Sequence, residues 1–310
     1  MLYFNHMNIL QTEAWEKFLK EEGDETYRLE DKDYSALCVL KNTPVGNYLF
    51  LPYGPNIESE KNLKSAMKAI TKLAEEKEAI FVRIEPTTVL SEKTAKANFL
   101  KKVKDVDPKS TVVLDLTKSE DEILQGFDKK KRQYYRNYKN KGITIRQSKD
   151  LKDMDILLHY YEGLTDKRSF SIHEKSYMTN QIKFDFAKLY IIELEGEAIG
   201  ASLIYDQDDT RYYAYAAYSE QHKNHHTNDI LLAQMIFDAK ADGKKVFDFW
   251  GATTSEDPND PWFGFTKYKL SFGGEIKTYA GTYDLVLNKT KYGLYSALRK
   301  ANRIKRKLLK

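Results

Sequence analysis

Residues 189–250 read LYIIELEGEAIGASLIYDQDDTRYYAYAAYSEQHKNHHTNDILLAQMIFDAKADGKKVFDFW. Leu189 to Leu194 is an apolar run of strand length, Glu195-Gly196 supplies a tight turn, and Ala198 to Tyr205 reads as a second strand. An Asp-rich turn joins it to a third, Arg211 to Tyr218. A helix follows from about Asp229 to Ala241, with Ile230, Ala233, Ile236 and Phe237 on one face. Gly243 stops it, and Val246 to Trp250 is a strand again. Three adjacent antiparallel strands, a helix and a further strand predict an α/β (α+β) unit with a mixed, mostly antiparallel sheet flanked by helices.

Upstream, the same order recurs. A helix from Thr12 to Leu19 carries Ala14, Trp15 and Phe18 behind a Thr cap. Tyr34 to Lys41 and Asn47 to Leu51 read as strands, the second stopped by Pro52-Tyr53-Gly54-Pro55. Leu63, Met67, Ile70 and Leu73 mark a helix over 61–77, which leads into a buried strand from Ala79 to Ile84, closed by Glu85-Pro86. Thr111 to Leu116 is another strand; Ser119 with Glu122 makes a capping box. A basic helix ends at Gly142 before the strand Ile143 to Arg146, and helices are predicted at roughly 151–163 and 174–186. Strand, helix, strand in this order is how a GNAT-type acyltransferase builds its central sheet. Its double occurrence predicts two GNAT-like acyltransferase domains, with the boundary near residue 148.

The composition suits two packed cores. Of 310 residues 41% are hydrophobic and 13% aromatic, which excludes disordered and collagen-like classes. One cysteine, Cys38, can form no internal disulfide, so a reducing compartment such as the cytoplasm is expected. No leader-like N-terminus and no run of ~18 apolar residues is present, so neither export nor membrane spanning is expected.

The net charge of +4 conceals an asymmetry. Residues 129–141 hold seven Lys/Arg and no acid, and residues 289–310 hold nine and no acid; the rest has 34 basic against 46 acidic residues. Two basic segments in an acidic chain predict a polyanionic partner or anionic surface. Lys130, Arg132 and Arg136 are interleaved with Tyr134, Tyr135 and Tyr138, which either stack on bases or form the helix's buried stripe, at least one of them being buried.

A GNAT enzyme seats the CoA pyrophosphate on a glycine-containing loop opening a helix, because only such a loop lets backbone N–H groups approach so closely. The corresponding stretch, Gln221 to Asn228, has no glycine, and Ile57-Glu58-Ser59-Glu60 in the first half would repel the anion. The architecture is expected without an ordinary CoA site. His222, His225 and His226 read as polar caps rather than metal ligands, lacking a Cys or carboxylate set at ligand spacing. No metal and no organic cofactor is expected.

Several segments together resemble the Fem family of peptidoglycan bridge aminoacyltransferases. They are Leu10-Gln11-Thr12-x-x-Trp15, Leu51-Pro52-Tyr53-Gly54-Pro55, Ile84-Glu85-Pro86, Lys130-x-Arg132-x-x-Tyr135-Arg136 with Lys141-Gly142, Gly243 to Gly251, and Gly264-Phe265-Thr266-Lys267-Tyr268-Lys269-Leu270-Ser271-Phe272-Gly273-Gly274-Glu275. The resemblance implies transfer of an amino acid from aminoacyl-tRNA to an amine on the stem peptide of lipid II or UDP-MurNAc-pentapeptide. A tRNA ester as donor accounts for the missing CoA loop. No 60-residue heptad stretch exists, so the compact form without a coiled-coil arm is implied. It also implies a C-terminal helix, 285–310, packed on a first, precursor-binding domain (1–148), with 149–284 as the catalytic domain.

Aminolysis of an ester needs a proton acceptor for the amine and a charge opposite the forming oxyanion. By resemblance, Tyr268 and Lys269 lie at the reaction centre, with Tyr in place of a common Phe. Lys269 is expected to stabilise the developing charge or position the terminal nucleotide; without the motif it is one of fifty basic side chains. Glu85 is expected either as proton acceptor or amine-orienting group, or as a solvated strand-end carboxylate. By the same resemblance Arg168, with Phe170 at a spacing one residue shorter than the family's Arg-x-x-Phe element, and Lys20, after the opening Trp with Lys17 as its rival, are assigned to the precursor's phosphates. Tyr215, Asp248 and Trp250 are assigned to the substrate pocket, with core packing the alternative for the last two. Lys130, Arg132, Arg136 and Lys267 are assigned to tRNA phosphates. Contact with the inner membrane face is a further expectation, since Leu294, Leu298, Ala301 and Leu308 share one side of the basic C-terminal helix. Competing expectations are transfer to another amine, such as a protein N-terminus, and a non-catalytic tRNA or membrane binder.

Overall fold

The computed structural model describes residues 7–168 and 175–308, without the side chains of 164–168 and 303–308. The chain forms two compact units, residues 1–109 with 278–310, and residues 110–277. In the first unit α1 (Glu13–Glu21) is followed by β1 (Glu25–Asp31), β2 (Tyr34–Thr43), β3 (Gly46–Leu51), α2 (Leu63–Glu76), β4 (Phe81–Ile84), α3 (Glu92–Ala97) and β5 (Leu100–Lys102). Next come β6 (Ser110–Asp115), α4 (Glu120–Gly126), α5 (Lys129–Asn137), β7 (Ile143–Ser148), α6 (Met154–Arg168) and α7 (Lys175–Gln181). The second sheet is then filled by β8 (Ala187–Leu194), β9 (Glu197–Gln207), β10 (Thr210–Tyr218), α8 (Thr227–Ala241), β11 (Val246–Ala252), α9 (Phe263–Leu270) and β12 (Glu275–Thr278). Finally β13 (Tyr283–Val286) and α10 (Lys289–Leu308) return to the first unit.

The sheets share one plan. The first has the order β1-β2-β3-β4-β13-β5 and the second β12-β6-β11-β10-β9-β8-β7. In each, antiparallel strands lead to one parallel pair, β3 with β4 and β10 with β11, bridged by α2 and α8 respectively. A parallel neighbour cannot be reached by a tight turn, so each crossover helix packs its apolar face on the sheet. In α2 that face is Leu63, Ala66, Met67, Ile70, Leu73 and Ala74; in α8 it includes Ile230, Leu231, Ala233, Met235 and Ile236. These are two GNAT-like units of mixed sheet flanked by helices.

The boundary lies at residue 109 rather than near 148, because β6 pairs with β11 and β7 with β8 in the second sheet. The capping box opens α4 as its spacing predicts: the Ser119 hydroxyl accepts the Glu122 N–H, and the Glu122 carboxylate accepts the Ser119 N–H. Strand β1, ETYRLED, carries too many charges to read as a strand; among the described residues it is an edge that pairs only with β2.

One buried ion pair ties the first unit together. Arg83 on β4 makes a bidentate bond to Asp284 on β13, 2.8 Å in each arm, directly across the antiparallel ladder. Tyr292 of α10 donates its hydroxyl to the same carboxylate at 2.7 Å.

Candidate active site

The parallel pair of the second sheet comes apart at one point. Its register ends at Tyr212 opposite Asp248; beyond it β10 shifts register between Tyr213 and Tyr215, and β11 shifts between Asp248 and Gly251. Trp250 takes up the strain with a left-handed φ of 58°. At the bulge Lys269 of α9 bonds two backbone carbonyls: Nζ donates to Trp250 O at 2.7 Å and Gly251 O at 2.5 Å. Lys269 is only 7% exposed. Burial pulls its ammonium down to about 7, with Asp248 opposing the shift. An ammonium has three donors, so one N–H remains beyond the two carbonyl bonds.

Asp248 is buried too, and its Oδ1 accepts from the Thr111 hydroxyl and from Trp250 N at 2.7 Å. Burial raises its pKa; the Thr111 and Trp250 bonds and the Lys277 and Lys269 charges counteract. The Trp250 ring meets Tyr212 and Tyr205 edge-on, at 5.4 and 6.0 Å between centroids. Tyr215, just past the β10 bulge, meets Tyr205 at 6.5 Å and Tyr161 at 5.9 Å. Lys269, Asp248 and Trp250 thus form one cluster, in which Thr111 had no signal in the sequence.

Tyr268 faces another way, as consecutive helix residues must. The Lys131 ammonium lies 4.2 Å from its ring centroid and pairs with Asp229 at 2.6 Å. Around Lys131 a cavity of about 410 Å³ is lined by Asp128, Lys129, Lys130, Lys131, Tyr134, His226 and Asp229. The first turns of α5 and α8 border it, and neither N-cap, Asp128 or His226, caps its helix with a side chain. The His226 ring stacks on Tyr134 at 3.6 Å, and His222 exchanges a 2.9 Å hydrogen bond with Ser219. Lys131, His226 and Asp229 were not singled out as site residues from the sequence, although Lys131 stands in the quoted basic run.

In the first unit three of the sequence motifs meet. The Gln11 side chain donates to Pro52 O at 2.7 Å and Leu37 O at 3.3 Å and accepts from Leu37 N at 2.9 Å. It presses so close to Gly54 that a Cβ there would lie 2.5 Å from the amide. Gly54 O in turn accepts the Glu85 N–H at 2.9 Å. Glu85 is 3% exposed, which corrects the reading of it as a solvated carboxylate. Its Oε1 accepts from Thr282 Oγ1 at 2.5 Å, Asp107 N at 3.2 Å and Val106 N at 3.3 Å. Burial, then the neighbouring Asp107 charge, push its pKa up to about 8.

The remaining residues divide. Lys130, Arg136 and Lys267 are exposed. Arg132 is half-buried, its Nη1 donating to Gln125 O at 3.1 Å and to Phe127 O, so its guanidinium pins the end of α4. Lys20, itself exposed, reaches back to the buried Glu16 at 2.8 Å, and Lys17 is exposed as well. The Arg168 side chain and Phe170 lie outside the described residues. Of the three tyrosines in the basic segment, Tyr138 is buried, while Tyr135 stacks on Phe237 at 5.0 Å. Glu85 belongs to the first unit, and Tyr268 and Lys269 to the second.

A family model described as the FemAB family matches residues 4–106 and 179–300. The chain belongs to the FemAB family. The lipid II:glycine glycyltransferase of Staphylococcus epidermidis is 28% identical over 123 residues, 40% of this chain and 30% of that protein. The enzyme of the same name from Staphylococcus haemolyticus is 20% identical over 260 aligned residues, covering 61% of each. The chain therefore spans less than two thirds of the length of these FemAB relatives. Among solved structures, FemX matches with a TM-score of 0.81 at 17% identity, over 93% of this chain and 94% of that one. The C-terminal domain of a putative lysylphosphatidylglycerol synthetase from Agrobacterium fabrum matches with 0.61 at 13%, over 94% and 92%. These likenesses establish the fold shared with FemAB proteins.

Proposed function

We propose that the protein is a tRNA-dependent aminoacyltransferase that adds an amino acid to the stem peptide of a peptidoglycan precursor, lipid II or UDP-MurNAc-pentapeptide. The observation that carries this reading is the buried Lys269 ammonium, held on the Trp250 and Gly251 carbonyls in a unit whose family relatives are named as glycyltransferases.

In the reaction the acceptor amine attacks the ester carbonyl. A C–N bond forms, the carbonyl oxygen gains negative charge, and the C–O bond to the tRNA ribose then breaks, the ribose hydroxyl leaving with a proton. Lys269 can point its remaining N–H at the forming oxyanion from a low-dielectric setting, where a fixed donor is worth more than in water. Asp248 and Trp250 hold the bulge that orients it. The cavity between the first turns of α5 and α8, with Lys129 and Lys130 at its rim, suits the phosphates near the tRNA terminus, and exposed Arg136 and Lys267 extend the cationic surface. Steering of this kind weakens with salt. The protein is expected to work in the cytoplasm, beside the membrane when its acceptor is lipid-linked.

The test is to incubate charged aminoacyl-tRNA with lipid II or UDP-MurNAc-pentapeptide and read the stem peptide by mass spectrometry. One added residue is expected with the native protein and none with Lys269→Met. A folded protein that extends neither acceptor with any of a panel of charged tRNAs overturns the reading.

A further inference from the structure

Helix α10 is held to the first unit by one face. Tyr292 donates to Asp284 at 2.7 Å; the Tyr295 ring lies 4.9 Å from Phe81 and 5.9 Å from Tyr48, and its hydroxyl accepts from Arg83 at 3.4 Å. Two residues three apart define the inward side of a helix. At 100° per residue, measured from the midline between Tyr292 and Tyr295, Leu294 falls roughly 130° around the helix and Leu298 roughly 90°, off the packed side. They are 53% and 41% exposed, and Ala297 and Ala301 extend the exposed stripe. A surface helix ordinarily turns its leucines to the core and its polar groups to water; α10 has tyrosines inward and leucines outward.

The stripe lies in a strongly cationic segment, since residues 289–310 contain nine Lys/Arg and no Asp or Glu. That combination narrows the occupant. A second copy of the helix would set nine cations against nine. A nucleic acid would satisfy the cations and leave the leucines in water. A bilayer with anionic headgroups satisfies both, the leucines entering the headgroup–acyl boundary and the lysines and arginines meeting lipid phosphates. No helix among the described residues is long and apolar enough to cross a membrane, so the contact is interfacial.

We propose that the outward face of α10, centred on Leu294 and Leu298, docks on an anionic membrane surface. The inference does not depend on the transfer chemistry; if that chemistry is also correct, the docked helix brings the protein to a lipid-linked acceptor.

The experiment is co-sedimentation of the full chain with vesicles of phosphatidylcholine alone or mixed with phosphatidylglycerol. Binding is expected to the mixed vesicles only and to weaken as salt rises. The double substitution Leu294→Glu/Leu298→Glu should reduce it by about tenfold or more. Both positions are exposed, so an unchanged thermal melt serves as the folding control. Unchanged transfer to the soluble UDP-linked acceptor by the same variant separates failed docking from failed chemistry. Absence of binding to the mixed vesicles overturns the proposal. So does binding that is indifferent to the leucine substitutions, or binding that tRNA abolishes while the leucine variant keeps its vesicle affinity.

Discussion

Two buried cations, Arg83 in the first unit and Lys269 in the second, each have an aspartate nearby and are wired differently. In the first, Arg83 and Asp284 satisfy each other through two parallel bonds of 2.8 Å, with Tyr292 completing the carboxylate. Asp284 and its partners hold Arg83 more firmly charged than usual, and nothing in the pair is left to react. In the second, Lys269 and Asp248 both spend bonds on the backbone of the β11 bulge, and Lys269 is left titrating at about 7. The first arrangement fixes a fold. The second holds an ammonium whose charge burial makes easier to lose.

The largest break in this comparison is Arg83→Met, which strands a buried carboxylate and should cost about 3–5 kcal/mol in urea unfolding. Adding Asp284→Leu should recover most of it; a double variant no better than the single would show that the pair is not a self-contained lock. Next, Lys269→Met should lower transfer about 100-fold or more, near 3 kcal/mol in the barrier. If the ammonium is the working form, kcat/KM falls as pH rises through about 7, and Lys269→Arg, which stays charged, shifts that limb upward. A descending limb unmoved by the arginine would assign it to another group.

Glu85 sharpens the contrast from the acidic side. Its folded pKa of about 8 lies above the ordinary 4.5, so stability is full below pH 4.5 and is lost as pH rises through 8. Glu85→Gln copies the neutral acid and should remove a slope on the order of 1–3 kcal/mol across that window; equal slopes in the two proteins would place the titration elsewhere. The smallest effect is that of Thr111→Val, which takes one bond from Asp248 and should cost about 1 kcal/mol. A guanidinium titration with no shift in midpoint would mean that the hydroxyl contributes nothing.

Much of the fold was written in periodicity: the β8-β9-β10 hairpins, the α8 stripe and the Ser119 box are local patterns with local causes. What escaped was non-local. That β6 would join β11 depends on an antiparallel pairing across more than a hundred residues, which no window of sequence contains. The motifs showed which residues belong together, and Gln11, Gly54 and Glu85 do converge, as do Trp250, Gly251 and Lys269. They did not show that Arg132 would turn back to hold α4, that Glu85 would be buried, or that Thr111 would bond Asp248, because a polar side chain's partner is set by packing around it.

The path of the chain also orders its own assembly. Strand β13, which lies between β4 and β5, is delivered by residues 283–286, after the whole of the second unit has been made. During synthesis from the N-terminus, the second unit's sheet has all its strands first, while the earlier unit waits with β4 and β5 unbridged. A nascent chain halted at residue 277 would hold one finished sheet and one split in two, so the late segment is the keystone of the part of the molecule that is made first.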